Sequence, residues 1–245
     1  MSVSLLRGTG PLLRIGHRGA AALAPANTIA AVEAALALGV DMVELDVLGQ
    51  PDRTLVLGHS QRDLETEPTA LEDAFAFLRE QSPEIGLLAD VKGGGLEREL
   101  VEALRRYDLV GRTVASTYGL GKLRALRRLE PGLTLSRTYP PSRLGLGRRR
   151  FLPVFGPVRA GLRLTLPSRI EAIVGEADVA ATTLDHRLVT RAAVERCHSL
   201  GVAVLAWTVN DRALLRKLDR LGVDGVISDD PRIFEPTGEG ATLQS

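Results

Sequence analysis

Short runs of β-branched and aliphatic residues alternate along this chain with stretches whose apolar residues recur at three- and four-residue spacing. The runs predict strands near Leu13–His17, Met42–Val47, Ile85–Val91, Thr113–Ser116, Leu133–Ser136, Asp178–Ala181, Val202–Trp207 and Gly225–Ser228. The stretches between them predict helices over about Thr28–Leu38, Ala70–Glu80, Leu96–Tyr107, Leu120–Leu129, Thr190–Leu200 and Asp211–Leu221. Asn27 is placed to cap the first helix. Gly39, Gly201 and Gly222 fall where helices must stop before a strand.

Strands separated by helices imply a parallel sheet. Eight such units within 245 residues point to a closed (β/α)8 TIM barrel, with an open doubly wound sheet as the alternative. The first strand ends in His17-Arg18-Gly19 and not in a glycine-rich dinucleotide loop. No linker or short repeat divides the chain, so one domain spanning residues 1–245 is expected. Two segments interrupt the alternation. A small insertion after strand 2, Gly49–Thr69, carries a short strand, Thr54–Leu57. A basic insertion, Tyr139–Arg169, is rich in Pro, Gly and Arg.

Composition narrows the classes further. Hydrophobic residues make up 44% and charged residues 25%, enough to build an ordinary core. A net charge of +1 gives no field that would select nucleic acid. A single cysteine, Cys197, excludes an internal disulfide. The N-terminus has no secretory pattern and no run approaches the roughly 18 apolar residues of a spanning helix, so a cytoplasmic location is expected.

Candidate chemistry collects at the predicted strand ends, where a barrel carries its active site. His17 closes the first strand, on the same face as Ile15. Glu44 and Asp46 are two apart on the second strand and must share a face. Two carboxylates in a buried strand repel and lose hydration unless protons, a salt bridge or a cation compensate. They are therefore either a paired or protonated structural couple or a site for a hard cation such as Mg²⁺ or Ca²⁺. Asp90 and Lys92 likewise share a face, as an ion pair or as a further metal ligand beside an anion-binding ammonium. His59 follows the small strand and can fold over the mouth. Two imidazoles that titrate near neutral pH suit proton transfer. His186 and His198 are weaker candidates. Trp207, the only tryptophan, ends the seventh strand, where it either packs on a substrate or fills the barrel. The end of the eighth strand reads as a helix start, with Asp229 or Asp230 as the cap.

Together these residues resemble the glycerophosphodiester phosphodiesterase family. Gly16-His17-Arg18-Gly19 with Pro25-Ala26-Asn27-Thr28 is similar to that family's His-Arg-Gly and Pro-Glu-Asn-Thr signature, and Glu44-Leu45-Asp46-Val47 to its Glu-Leu-Asp-Val strand. His59 matches the histidine of its His-Asp pair. Ala206–Asn210 and Val223–Asp229 look like its last two strand motifs. The resemblance covers nearly the whole chain except Tyr139–Arg169. Three positions depart from the pattern: Ala26 and Asp90 stand where the family has Glu, and Ser60 where it has Asp. The resemblance implies that His17 and His59 are an acid–base pair. It assigns a divalent metal to Glu44, Asp46 and Asp90, and phosphate to Arg18 and Lys92. The implied substrate is a glycerophosphodiester. A lysophospholipid, or phosphodiester binding with weak turnover, is the alternative. The basic residues of 143–169 are interleaved with apolar ones, which suits either a solvated loop or peripheral contact with an anionic membrane. Oligomeric state is not legible.

Overall fold

The computed structural model describes residues 5–141, 152–176 and 178–234. The chain starts with strand β1 (Leu13–His17), helix α1 (Ile29–Ala37), β2 (Met42–Gly49) and a short β3 (Leu55–Leu57). It continues through α2 (Leu71–Gln81), β4 (Gly86–Val91), α3 (Glu97–Arg106), β5 (Thr113–Thr117), α4 (Leu120–Leu129) and β6 (Thr134–Tyr139). It ends with α5 (Leu152–Gly175), β7 (Ala181–Asp185), α6 (Arg191–Ser199), β8 (Ala203–Trp207), α7 (Arg212–Leu221) and β9 (Gly225–Ser228). Among the described residues, eight strands pair in parallel, and β1 bonds to both β2 and β9, which closes the barrel. β3 alone is antiparallel, folded back on the end of β2.

Pleating divides each strand between two cores. On β2, Val43, Leu45 and Val47 join the shell between sheet and helices, whereas Met42 packs inside the barrel with Ile15, Leu88, Val114, Leu205 and Ile227. The same alternation sends Glu44 and Asp46 inward above Met42, into the top layer of the barrel. Helix ends follow local chemistry. Thr28 caps α1 by accepting the Ala31 N–H at 3.2 Å, and Asp211 caps α7 by accepting that of Leu214 at 2.8 Å. Gly222 ends α7 in the left-handed region, at φ 90°.

The structure corrects three expectations. Thr28 and not Asn27 caps α1; Asn27 turns inward to the carboxylates. The sixth barrel strand is Ala181–Asp185 and not Asp178–Ala181: Asp178 has φ 48°, which breaks the extension, and the polar-looking Thr182 and Thr183 are buried strand residues. Tyr139–Arg169 is not simply an insertion, because it contains most of the crossover helix α5. Two internal prolines disguised that helix; an interior proline costs about 3 kcal/mol. Leu166, Ile170, Ile173 and Val174 repeat at helical spacing and are all buried, and each contributes roughly 1.5–3 kcal/mol, enough to offset the penalty. Of the two cap candidates after β9, Asp230 accepts the Arg232 N–H at 3.2 Å at the start of a short 3-10 helix, Pro231–Phe234, whereas Asp229 turns to His17. Of the basic residues read as a membrane contact, Arg143, Arg148, Arg149 and Arg150 lie outside the described residues. Among the described residues no helix is long and apolar enough to cross a membrane.

Candidate active site

The C-terminal ends of the strands open into a cavity of about 540 Å³, whose lining includes His17, Arg18, Glu44, His59, Asp90, Lys92 and Trp207. The backbone that delivers His17 is tightly specified. Arg18 and Gly19 turn the chain at φ 52° and 80°. A Cβ on Gly19 would lie 2.4 Å from the Ala31 backbone, and one on Gly16 would lie 2.4 Å from the Gly19 carbonyl oxygen. Only glycine fits at either place. The Arg18 N–H then donates to Glu44 Oε2 at 2.9 Å, locking the turn to β2.

Glu44, Asp46 and Asp90 bring three carboxylate oxygens within 4.8 Å of one another. At that separation each pair of charges repels by roughly 3–4 kcal/mol at an effective dielectric constant near 20. The consequences are visible in the two buried groups. Burial, and then the neighbouring Asp46, push the Glu44 carboxyl up to about 7. Burial also works against ionised Asp46, but the hydrogen bond from His59 and the charges of Lys92 and Arg18 outweigh it and hold Asp46 well below the usual carboxylate range. Lys92 Nζ lies 2.8 Å from Asp46 Oδ1 and also bonds Asp90, while Arg18 Nε lies 2.9 Å from Asp46 Oδ2. Burial works against the Lys92 ammonium, yet Asp90, Asp46 and Glu44 raise its pKa overall.

Three carboxylates face the two cations Lys92 and Arg18, and burial together with repulsion from Asp46 disfavours the ionised form of Glu44. Asp46 Oδ1 is completely buried, with only the charge contact to Lys92 to compensate it. An all-oxygen donor set of mutually repelling carboxylates suits a hard divalent cation. The residues present therefore fit the metal that the sequence implied. Asp90 reaches the cluster despite being one methylene shorter than Glu.

The two histidines differ in their supports. His17 Nδ1 lies 2.5 Å from Asp229 Oδ1, and its Nε2 lies 3.8 Å from Glu44 Oε2. Burial disfavours its charged form, but Glu44 and then the Asp229 hydrogen bond outweigh this, and the net shift is upward. Asp229 is fixed in turn by Asn210, whose Nδ2 donates to Asp229 Oδ2 at 2.6 Å and whose Oδ1 accepts the Asp229 N–H at 2.9 Å. His59 Nδ1 lies 3.0 Å from Asp46 Oδ2. Arg18 Nη2 lies 3.1 Å from the same nitrogen, so Nδ1 either donates to Asp46 or accepts from Arg18; in the first tautomer Nε2 is the ring's acceptor. Ser60 does not support the ring. Asp63 instead accepts both the His59 and Ser60 backbone N–H groups, at 2.7 and 2.9 Å.

Two contributors escaped the sequence reading. Asn27, buried at φ 60°, accepts the Asp46 N–H at 3.1 Å and donates to Asp46 Oδ2 at 3.2 Å. Its position beside a predicted helix start suggested a cap. Asp229 had a signal, since it directly follows β9 at the same end of the barrel where His17 closes β1. His198 is far from the cavity, bonded through Nε2 to buried Asp224 at 2.8 Å below β9. His186 Nδ1 faces the Trp207 carbonyl at 3.1 Å and lines a separate cleft.

Comparison with known proteins identifies relatives of the whole barrel. The chain matches the glycerophosphoryl diester phosphodiesterase family over residues 17–71 and 90–233. It is 27% identical to a glycerophosphodiester phosphodiesterase of Caldanaerobacter subterraneus subsp. tengcongensis, covering 89% of this chain and 94% of that one. Among solved structures it resembles an Oleispira antarctica phosphodiesterase in complex with the product sn-glycerol-3-phosphate. The TM-score is 0.70 at 23% identity, over 91% of this chain and 94% of that one. It also resembles a glycerophosphodiester phosphodiesterase of Thermotoga maritima, with TM-score 0.67 at 19% identity, over 91% and 97% of the two chains. With the first block beginning at His17 and the second at Asp90, the match spans both halves of the carboxylate cluster, and the chain belongs to the glycerophosphoryl diester phosphodiesterase family.

Proposed function

We propose that this protein hydrolyses glycerophosphodiesters to an alcohol and glycerol 3-phosphate, with His17 and His59 moving the protons. The observation that carries the reading is the convergence of Glu44, Asp46 and Asp90 in a cavity that both histidines line. The three carboxylates would hold Mg²⁺ or Ca²⁺, which when bound supplies positive charge to the phosphoryl oxygens.

The chain's own residues divide the remaining work. Arg18 and Lys92 are the cations nearest the cavity floor, and they stabilise negative charge that develops on the phosphate. His17, whose protonated form Glu44 and Asp229 favour, donates from Nε2 to the departing alcohol. His59, with Nδ1–H turned to Asp46, takes a proton from the attacking oxygen at Nε2. Trp207 packs against the carbon skeleton of the substrate. The test is an assay of glycerophosphodiester turnover by wild type, His17→Ala and His59→Ala. Each substitution lowers kcat by ~10²-fold or more; normal turnover in both variants would remove the assignment.

A further inference from the structure

The mouth of the barrel has two unlike halves. β1, β2, β4 and β9 contribute the charged groups described above. β5, β6 and β7 contribute three hydroxyls, Ser116, Thr138 and Thr183, at the same level. Ser116 Oγ lies 2.8 Å from Thr138 Oγ1 and 3.0 Å from Thr183 Oγ1, and the two threonine oxygens are 2.9 Å apart. All three residues line the cavity.

A closed ring of three hydroxyls has a definite hydrogen-bonding character. Each O–H donates once around the ring and accepts once, and each oxygen keeps a second lone pair. The ring has spent its donors and presents only acceptors. Barrel interiors are ordinarily filled at this level by branched apolar side chains, which close-pack without such a requirement. A partner that brings O–H donors meets its complement here.

The surrounding groups bear on which donors are welcome. Asp185 is the carboxylate on this side, but Arg187 consumes it. The Arg187 backbone N–H and Nε reach Oδ1 at 2.9 and 2.8 Å, and Nη2 reaches Oδ2 at 2.5 Å. The Tyr118 ring already has the Lys122 ammonium over its face, 5.4 Å from the centroid. A cationic headgroup therefore finds a neutralised carboxylate and a neighbouring positive charge.

We infer that the Ser116–Thr138–Thr183 ring is the subsite for the leaving alcohol and that it selects an uncharged polyol over a quaternary ammonium alcohol. The inference rests on the phosphodiesterase reading above, with phosphate at the carboxylate half and the departing group at the hydroxyl half. A choline group has no N–H or O–H to give the ring. Glycerol- and inositol-type alcohols have two or more. A polyol can add hydrogen bonds to the open lone pairs of the ring that a choline group cannot make, and that difference is the basis of the discrimination.

The test measures kcat/KM for glycerophosphoglycerol, glycerophosphoinositol and glycerophosphocholine on wild type, Thr138→Val and Thr138→Ser. Wild type should favour the two polyol esters over the choline ester by ~10-fold or more, Thr138→Val should bring that ratio down toward one, and Thr138→Ser should restore it. Equal wild-type turnover of all three esters, or preference for the choline ester through Trp207, overturns the subsite whether or not any variant folds. A parallel loss on every ester in Thr138→Val, with the ratio intact, makes the ring merely structural and overturns it too. Wild type turning over none of the three, with metal present, would instead overturn the phosphodiesterase reading itself.

Discussion

The Nδ1 atom of His17 and the Oδ1 atom of Asp229 are 2.5 Å apart, so the first and last strands of the barrel meet through a hydrogen bond at the candidate active site. The bond fixes which His17 nitrogen faces the cavity and raises the proton affinity of the ring.

Asp229→Asn tests that pairing. A general acid must be protonated, so activity falls as pH rises through its pKa. Removing the Asp229 charge lowers the His17 pKa and moves this alkaline limb to lower pH. We expect kcat to drop by ~10–100-fold near neutral pH, with the limb displaced. A pH–rate profile checks both, and an unmoved alkaline limb would separate Asp229 from the proton transfer.

Asn27→Ala removes both hydrogen bonds that fix Asp46. Orienting groups around metal ligands typically change affinity by ~10–100-fold. The metal concentration that gives half-maximal turnover should rise within that range, while the far-ultraviolet circular dichroism stays that of wild type. An unchanged metal requirement would leave Asn27 a loop residue only.

Much of the fold was legible because period-2 and period-3.6 patterns are strong where an element packs on one face. β2 is an example: Val43, Leu45 and Val47 dictated its register, and the register dictated that Glu44 and Asp46 face inward together. Legibility failed where the cause is tertiary. α5 is held by Leu166, Ile170, Ile173 and Val174 against the barrel, and its prolines mask that pattern locally. Thr182 and Thr183 looked like loop because their hydroxyls are satisfied only by partners on β6 and β5. Asn27 and Asp229 carry the side chains of ordinary caps, and only the closure of the barrel makes them neighbours of Asp46 and His17.

The buried face of α5 is open to a stability test. Ile170→Ala leaves a cavity beneath the helix and should cost about 2–5 kcal/mol. Denaturant titration measures this directly. A loss below about 0.5 kcal/mol, the scale of surface substitutions, would mean that α5 does not depend on this face.

Cys197 offers a check on the C-terminal half of α6. Burial, reinforced by Asp224, pushes its thiol up to about 12. The folded protein should therefore resist thiol-specific labelling at pH 8 and label fully once unfolded. The sign for stability follows from the raised value. The protonated thiol favours the folded state at neutral pH, and this contribution fades as pH climbs from the unfolded thiol's range toward 12. Rapid labelling of native protein at pH 8 would contradict the buried placement.

The central claim is that Glu44, Asp46 and Asp90 hold a divalent cation on which turnover depends. The most direct measurement is hydrolysis of glycerophosphoglycerol by chelator-treated enzyme during titration with Mg²⁺ or Ca²⁺, alongside Glu44→Gln. Turnover should vanish with chelator, return saturably with one of the two ions, and fail to return at comparable concentrations in the variant. Full activity in excess chelator, or wild-type metal response in Glu44→Gln, would contradict the account.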